Sequence, residues 1–227
     1  MFKSLVKFFK AEGLLAQAND QIVGMLKEDL SLFNDSVKLL WTEEGVTIEE
    51  IKERDRQINK DVREVRKKVL THLAFSGASG METALVLLFI VVYIERIGDH
   101  TKDIGSLATD YPGEFEAGSF KDGVKKLEQR LRERLELLID IFETGDEVRE
   151  KASSLTKSHP EVNEMYRTMI YRLLTDDGDK GLNCPQTAKL ALYLRYLRRV
   201  EGHIFNIAST EVNPFHRIGF KKKKLSD

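Results

Sequence analysis

Three carboxylates recur at every fourth position in one segment of the chain: Glu95, Asp99 and Asp103. On an α-helix this spacing places them in a row, with roughly 6 Å between neighbouring side chains. Like charges this close repel one another, so the row requires a bound cation, a basic side chain such as Arg96 or Lys102, or direct contact with water.

A fourth carboxylate, Asp55, interrupts a stripe that is otherwise apolar: Ile48, Ile51, Ile58, Val62, Val65, Val69 and Leu73. An ionised group in such a stripe must be paired or must bind a metal. We therefore predict a metal site in which Glu95 and Asp99 face Asp55, with Asp103 as a further candidate ligand. A water-facing row remains the alternative, above all for Asp103. Oxygen ligands of this kind suit magnesium, calcium, manganese or iron better than a structural zinc ion.

Sequence signatures of common enzyme classes are absent: the chain has no phosphate loop, no Gly-x-Gly-x-x-Gly, no Gly-x-Ser-x-Gly and no His-Glu-x-x-His. It also lacks the Glu-x-x-His pairs of di-iron oxidases. A non-enzymatic protein is therefore favoured. The alternative is a metal-dependent hydrolase or phosphate-handling enzyme that uses the same carboxylates. For His100 and His203 we predict a hydrogen bond between helices.

Six long segments with helical periodicity must position these residues, and strand-like alternation of comparable length is missing, which predicts an all-α fold. The helices are expected at about 14–42, 48–76, 81–109, 120–144, up to 174, and 185–211. Thr47 followed by Glu50 has the pattern of a capping box at the start of the second helix. Pro160 is expected to interrupt the fifth helix unless a new helix begins there.

The two halves of the sequence repeat each other. The stripe that starts at Asp55 recurs 104 residues later with the same spacing, as His159, Val162, Tyr166, Met169 and Leu173. The segment 94–105 recurs at 197–208, with Arg96 matched by Arg199 and His100 by His203. This predicts a tandem duplication of a three-helix bundle, with bundles at 14–112 and 115–212, an amphipathic segment at 1–13 and a basic tail at 213–227.

The second copy lacks the acidic pattern of the first. Arg198 stands at the position of Glu95, Gly202 at that of Asp99, and His159 at that of Asp55. A second, equivalent metal site is therefore not expected.

Bulk composition indicates an ordinary globular protein, with 41% hydrophobic and 32% charged residues and a formal net charge of −1. No overall field would draw it onto nucleic acid, so no specific nucleic-acid partner is expected. The apolar run 84–93 is too short for a spanning helix, which needs roughly 20 residues, and predicts a fully buried segment instead. A single cysteine, Cys184, fits a cytoplasmic location.

Two motifs resemble those of the PhoU family of phosphate-uptake regulators. The segment 93–105, YIERIGDHTKDIG, is similar to the helix-three signature of the family, in which an acidic residue is followed after three residues by Asp. The segment 53–59, ERDRQIN, resembles the helix-two motif and precedes it in the expected order. The resemblance extends over residues 14–212 and implies two PhoU three-helix bundles. It also implies a metal site on the first bundle with Glu95 and Asp99, and with Asp55 and Asp103 as candidates.

By the same resemblance the chain would be a cytoplasmic regulator peripheral to the membrane, forming a homodimer. It would couple a phosphate transporter to a sensor histidine kinase at the inner face of the membrane and restrain phosphate-starvation genes. The altered second motif points to a diverged member and leaves open an accessory role for a different anion transporter.

Overall fold

The computed structural model describes residues 13–42, 44–76, 80–111, 113–175 and 181–220, which contain six long helices and no strand. The helices are α1 (Leu14–Thr42), α2 (Ile48–Ser76), α3 (Met81–Thr109), α4 (Lys121–Thr144), α5 (Val148–Thr175) and α6 (Cys184–Ser209). The predicted all-α fold is confirmed. The amphipathic segment lies outside the described residues except for Gly13, as do the lysines of the tail.

The helices form two three-helix bundles, one from α1, α2 and α3 and the other from α4, α5 and α6. Each helix turns an apolar stripe toward the centre of its own bundle, as the spacing of three and four residues requires. On α2 the predicted stripe is buried from Ile48 to Val69 and partly buried at Leu73, and Asp55 is only 4% exposed within it. A single helix cannot bury its own apolar stripe, so each stripe needs neighbouring helices. The two bundles of three helices supply them.

Contacts of α1 with α4 and of α3 with α6 join the two bundles. At the first contact, the indole Nε1 of Trp41 donates a hydrogen bond to Glu128 at 2.6 Å, and the hydroxyl of Tyr193 donates to the same carboxylate oxygen at 2.7 Å. Phe115 packs edge-on against both of these rings. The Glu128 side chain is fully buried, so its negative charge needs partners inside the protein. The two hydrogen-bond donors and the Lys125 ammonium group at 3.2 Å stabilise that charge.

The predicted capping box at the start of α2 is confirmed. The Thr47 hydroxyl accepts a hydrogen bond from the backbone N–H of Glu50, and the Glu50 carboxylate accepts one from the backbone N–H of Thr47. A second capping box, formed by Asn183 and Gln186, begins α6. Both boxes satisfy amide groups that the first turn of a helix leaves without partners.

The prediction that Pro160 interrupts the fifth helix was wrong, since α5 runs continuously through it. A proline inside a helix weakens the preceding turn by removing one hydrogen bond. In this turn Arg134 of α4 donates from Nη2 to the carbonyl oxygen of Leu155 at 2.8 Å and from Nη1 to the Ser158 hydroxyl. These bonds from outside the helix support the weakened turn.

The prediction for the apolar run 84–93 also needs correction. The run 84–93 is not fully buried, because Leu85 is 39% exposed. Within the described residues, no helix is both long and apolar enough to cross a membrane. Part of the tail is packed: Ile218 is 9% exposed against the core, and the backbone N–H of Gly219 donates to the Ser209 hydroxyl at 2.8 Å.

Candidate functional site

Asp55 of α2 and Asp99 of α3 meet around the ammonium group of Lys102. The Nζ atom of Lys102 lies 2.7 Å from Oδ2 of Asp55 and 3.1 Å from Oδ1 of Asp99. Burial alone would lower the pKa of Lys102, but its hydrogen bonds to Asp55 and Asp99 outweigh burial and raise that pKa. Lys102 is therefore charged at neutral pH and compensates the buried carboxylate of Asp55.

The other two predicted ligands have different partners. Glu95 faces Arg66 of α2, with 3.5 Å between Oε2 and Nη2, and Asp103 faces His100 on its own helix at 3.4 Å. The Asp103 side chain is 40% exposed. The structure therefore brings together Asp55 and Asp99 of the predicted set, and it separates Glu95 and Asp103 from them.

A third acid at this site, Asp29 of α1, was missed by the sequence analysis. Its side chain is completely buried, and both carboxylate oxygens have no hydrogen-bond partner among the described residues. Burial, then the negative charges of Asp55, Glu28 and Asp99, raise its pKa well above the ordinary value. Its position between Leu26 and Phe33 in the apolar stripe of α1 is the same signal that identified Asp55.

Gly98 of α3 allows these carboxylates to approach the helix backbone. A Cβ atom at this position would lie 3.1 Å from an oxygen of Asp29 and 3.4 Å from an oxygen of Asp55. The absence of a side chain at Gly98 thus leaves room for both carboxylates beside α3, next to Asp99. The three acids come from three helices and enclose one small polar region in the core of the first bundle.

This region has the donor chemistry of a hard-cation site, because carboxylate oxygens are the ligands that magnesium, calcium, manganese and iron accept. The unpartnered oxygens of Asp29 are the observation that favours a cation. As the side chains stand, no group of three acidic, histidine or cysteine residues in the described ranges is arranged to hold a metal ion. Lys102 supplies the positive charge instead, so a metal ligated by Asp55 and Asp99 requires Lys102 to move aside.

The hydrogen bonds between helices predicted for His100 and His203 were wrong: within the described residues the His203 ring nitrogens have no hydrogen-bond partner, and His100 faces Asp103 on its own helix. Their rings stack across the contact of α3 with α6, with centroids 5.4 Å apart and an interplanar angle of 3°. Burial, then the positive charges of His100, Arg199 and Arg96, lower the pKa of His203 to about 4. A neutral His203 ring stacks at this distance without the repulsion that a protonated ring would meet from the neighbouring arginines.

The second bundle has a different buried group at the corresponding depth. Arg134 of α4 donates from Nε to Glu201 of α6 at 2.7 Å, and the other Glu201 oxygen lies 2.9 Å from Nδ1 of His159. Glu201 is 1% exposed and Arg134 is 6% exposed. Glu201 falls at the repeat position of Gly98, so the second bundle holds a compensated ion pair where the first bundle has space for carboxylates.

Residues 22–108 match the family model of the PhoU domain, a region that includes Asp29, Asp55 and the acidic row. Two curated proteins, each described as a phosphate-specific transport system accessory protein PhoU homolog, are similar to most of the chain. The one from Pseudomonas aeruginosa is 23% identical over 177 residues, covering 77% of this chain and 72% of that protein. The one from Rhizobium meliloti is 21% identical over 178 residues, covering 78% and 74%.

Solved structures show the same fold. The crystal structure of PhoU from Pseudomonas aeruginosa superimposes with a TM-score of 0.78 at 22% identity, covering 88% of this chain and 95% of that one. The structure of the phosphate transport system regulatory protein PhoU from Streptococcus pneumoniae gives a TM-score of 0.71 at 17% identity, covering 87% and 92%. The first bundle thus matches the PhoU domain, and the chain as a whole shares its fold with solved PhoU structures.

Proposed function

We propose that this protein is a cytoplasmic, non-enzymatic regulator of phosphate uptake. It acts as an adaptor between a phosphate transporter and a sensor histidine kinase at the inner face of the membrane, and it represses phosphate-starvation genes when phosphate is plentiful. The observation that carries the proposal is the PhoU domain of the first bundle, shared with curated relatives described as accessory proteins of the phosphate-specific transport system.

Chemistry at the acidic region supports an adaptor more than an enzyme. Asp29 and Asp55 are buried, and Lys102 compensates Asp55 rather than activating a nucleophile. A hydrolase would need a nucleophile or general base within reach of an accessible substrate position. The alternative, a metal-dependent hydrolase, is tested by the phosphate-release assay described below.

We expect this region to take an oxygen-ligated metal ion when Lys102 swings out. Asp55 and Asp99 would then hold the ion, with Asp29 beside them, and Glu95 and Asp103 would join it only by leaving Arg66 and His100, their present partners. Such an ion would join α1, α2 and α3 in place of the ammonium group. Iron, manganese, magnesium and calcium all suit these ligands.

A reporter of phosphate-starvation gene expression tests the regulatory role. We expect high output in cells that lack the gene and grow with abundant phosphate, returning to low output when the gene is supplied in trans. Unchanged output in the deletion strain would contradict the phosphate role and would favour a different anion transporter. Phosphate release from a panel of phosphate esters by the purified protein, lost in Asp99→Asn, would favour the enzyme instead.

The expected homodimer is tested separately, by light scattering of the purified chain with and without metal. A mass near twice 26.0 kDa is expected. A single-chain mass at micromolar concentration would contradict the dimer without affecting the regulatory proposal.

A further inference from the structure

A cavity of about 1050 Å³ opens between α5 and α6 of the second bundle, and its wall is strongly basic. Arg167 of α5 lines it together with Arg195, Arg198 and Arg199 of α6, whereas the lining contains one carboxylate, Glu164. Glu164 pairs with Arg167 at 3.2 Å. The three arginines of α6 form no ion pair with any residue that the structure describes. The cavity therefore presents uncompensated positive charge to a ligand.

The internal repeat shows where the two bundles differ in charge. Arg198 and Gly202 of α6 stand at the positions that Glu95 and Asp99 occupy on α3. A Cβ atom added at Gly202 would meet nothing within 4 Å, so this glycine opens the cavity instead of accommodating a neighbour. Corresponding positions are thus acidic in the first bundle and basic or open in the second.

Three residues of the cavity wall carry buried polar atoms without partners. The hydroxyl of Tyr166, Oδ1 of Asn163 and both ring nitrogens of His203 have no hydrogen-bond partner among the described residues. Tyr166 is 1% exposed, and leaving a buried donor unsatisfied costs stability. The three arginines of α6, which are exposed, are therefore the polar groups that a ligand in the cavity can contact directly.

One end of the cavity is apolar. Ile170, Tyr171 and Leu174 line it, and Tyr171 is 67% exposed while Leu174 is 73% exposed. Pockets for drug-sized ligands have volumes of roughly 300–1000 Å³, so this cavity has room for a whole organic molecule as well as an anionic group. A ligand that satisfies both ends carries a ring or another apolar group at one end and several negative oxygens at the other.

We propose that this cavity, the α5–α6 groove, binds a nucleotide-sized organic phosphate with two or more phosphoryl groups. Its phosphoryl oxygens contact Arg195, Arg198 and Arg199, whose planar guanidinium groups match phosphate oxygens in pairs. Its base stacks against Tyr171. The site lies in the second bundle and is separate from the acidic region of the first, so it goes beyond the regulatory role proposed above.

Isothermal titration of the full chain with ATP tests the proposal, with pyrophosphate, inorganic phosphate and vesicles of phosphatidic acid as further probes. We expect ATP to bind more tightly than pyrophosphate, and pyrophosphate more tightly than phosphate, with affinities that fall as potassium chloride rises. The variant Arg198→Glu with Gly202→Asp restores the residues of the first bundle and should weaken ATP binding at least about tenfold. Tyr171→Ala should reduce the affinity for ATP while leaving that for pyrophosphate unchanged.

Arg149→Glu is the matched control, because Arg149 is an exposed arginine of α5 outside the groove, and its effect should be less than about twofold. Circular dichroism and urea unfolding show whether each variant folds, and Gly202→Ala tests the loss of glycine without added charge. Failure of ATP to bind the folded wild-type protein would overturn the proposal. Equal ATP binding by the wild type and the double variant would overturn it as well, and so would binding of phosphatidic acid vesicles without binding of ATP.

Discussion

The Nζ atom of Lys102 lies 2.7 Å from Oδ2 of Asp55, and this ion pair links α3 to α2 inside the first bundle. Asp55 is almost fully buried, whereas the Lys102 side chain is 25% exposed. The lysine therefore has a path to solvent that the aspartate lacks. A cation that binds the carboxylates can therefore displace Lys102 without unfolding the helix. Lys102 and the metal ion would compete for the same carboxylate, Asp55.

Replacing Lys102 by methionine tests the competition between this lysine and a metal ion. In the presence of a chelator, Lys102→Met is expected to lower the free energy of unfolding by roughly 2 kcal/mol, because it leaves the Asp55 carboxylate buried without its ammonium partner. Added manganese or iron should restore stability in the variant more than in the wild type, since the competing cation is gone. Urea unfolding with and without metal measures both effects.

Lys67→Met is the control for this experiment, because Lys67 lies exposed on α2 and pairs with Glu64 at the surface. Its effect should stay within about 0.5 kcal/mol. If Lys102→Met binds no metal by equilibrium dialysis, the metal site at Asp55 and Asp99 is refuted.

Asp29→Asn is expected to stabilise the metal-free protein by about 1 kcal/mol at neutral pH, since it removes a carboxyl group whose ionised form is disfavoured by burial, and its amide can donate toward Asp55. The pKa of Asp29 is raised in the folded state, so its ionisation costs stability as the pH rises from about 4 through that raised pKa. The gain from the substitution should therefore vanish toward pH 4. Urea unfolding in chelator across this pH range measures it.

Asp20→Asn provides the comparison, because Asp20 is an exposed residue of the same helix, α1. It should change the free energy of unfolding by less than about 0.5 kcal/mol at any pH. A loss of stability in metal-free Asp29→Asn at pH 7 would mean that the Asp29 carboxylate is held by the native fold.

Arg134→Leu tests the buried group of the second bundle. The substitution leaves Glu201 buried with His159 as its remaining partner and removes two bonds to the turn before Pro160, so we expect a loss of about 3 kcal/mol. Arg130→Leu, on the same helix, removes an exposed contact of 3.8 Å with Glu133 and should cost less than about 0.5 kcal/mol. Equal losses in urea unfolding would show that the Arg134 bonds contribute little.

The fold could be predicted from the sequence because the spacing of apolar residues indicates each helix, and the constant offset between the two halves indicates two similar bundles. Asp55 could be predicted as buried for the same reason, since it breaks a stripe. Asp29 breaks a stripe in the same way, yet its meaning depends on Asp55 lying beside it in another helix, and periodicity within one helix carries no such information. The pairing of Lys102 with Asp55 could not be predicted either, because the partner of a long side chain on one helix depends on how the helices pack together.

His203→Phe should change how stability depends on pH. The pKa of His203 is lowered from about 6.5 to about 4 in the folded protein, first by burial and then by His100 and the neighbouring arginines. Between those values the unfolded chain binds a proton that the folded chain does not, so this group costs stability as the pH falls through the window. Phenylalanine keeps a ring against Tyr93 and His100 but cannot be protonated.

The difference in unfolding free energy between His203→Phe and the wild type should therefore move in favour of the variant by roughly 2 kcal/mol as the pH falls from 6.5 to 4. His216→Gln, at an exposed histidine, should follow the wild type at every pH. Parallel curves for His203→Phe and the wild type would mean that His203 is protonated in the folded protein. In that case His203 would bind its proton equally well in the folded and the unfolded chain, and burial at the junction of the two bundles would not disfavour its charge.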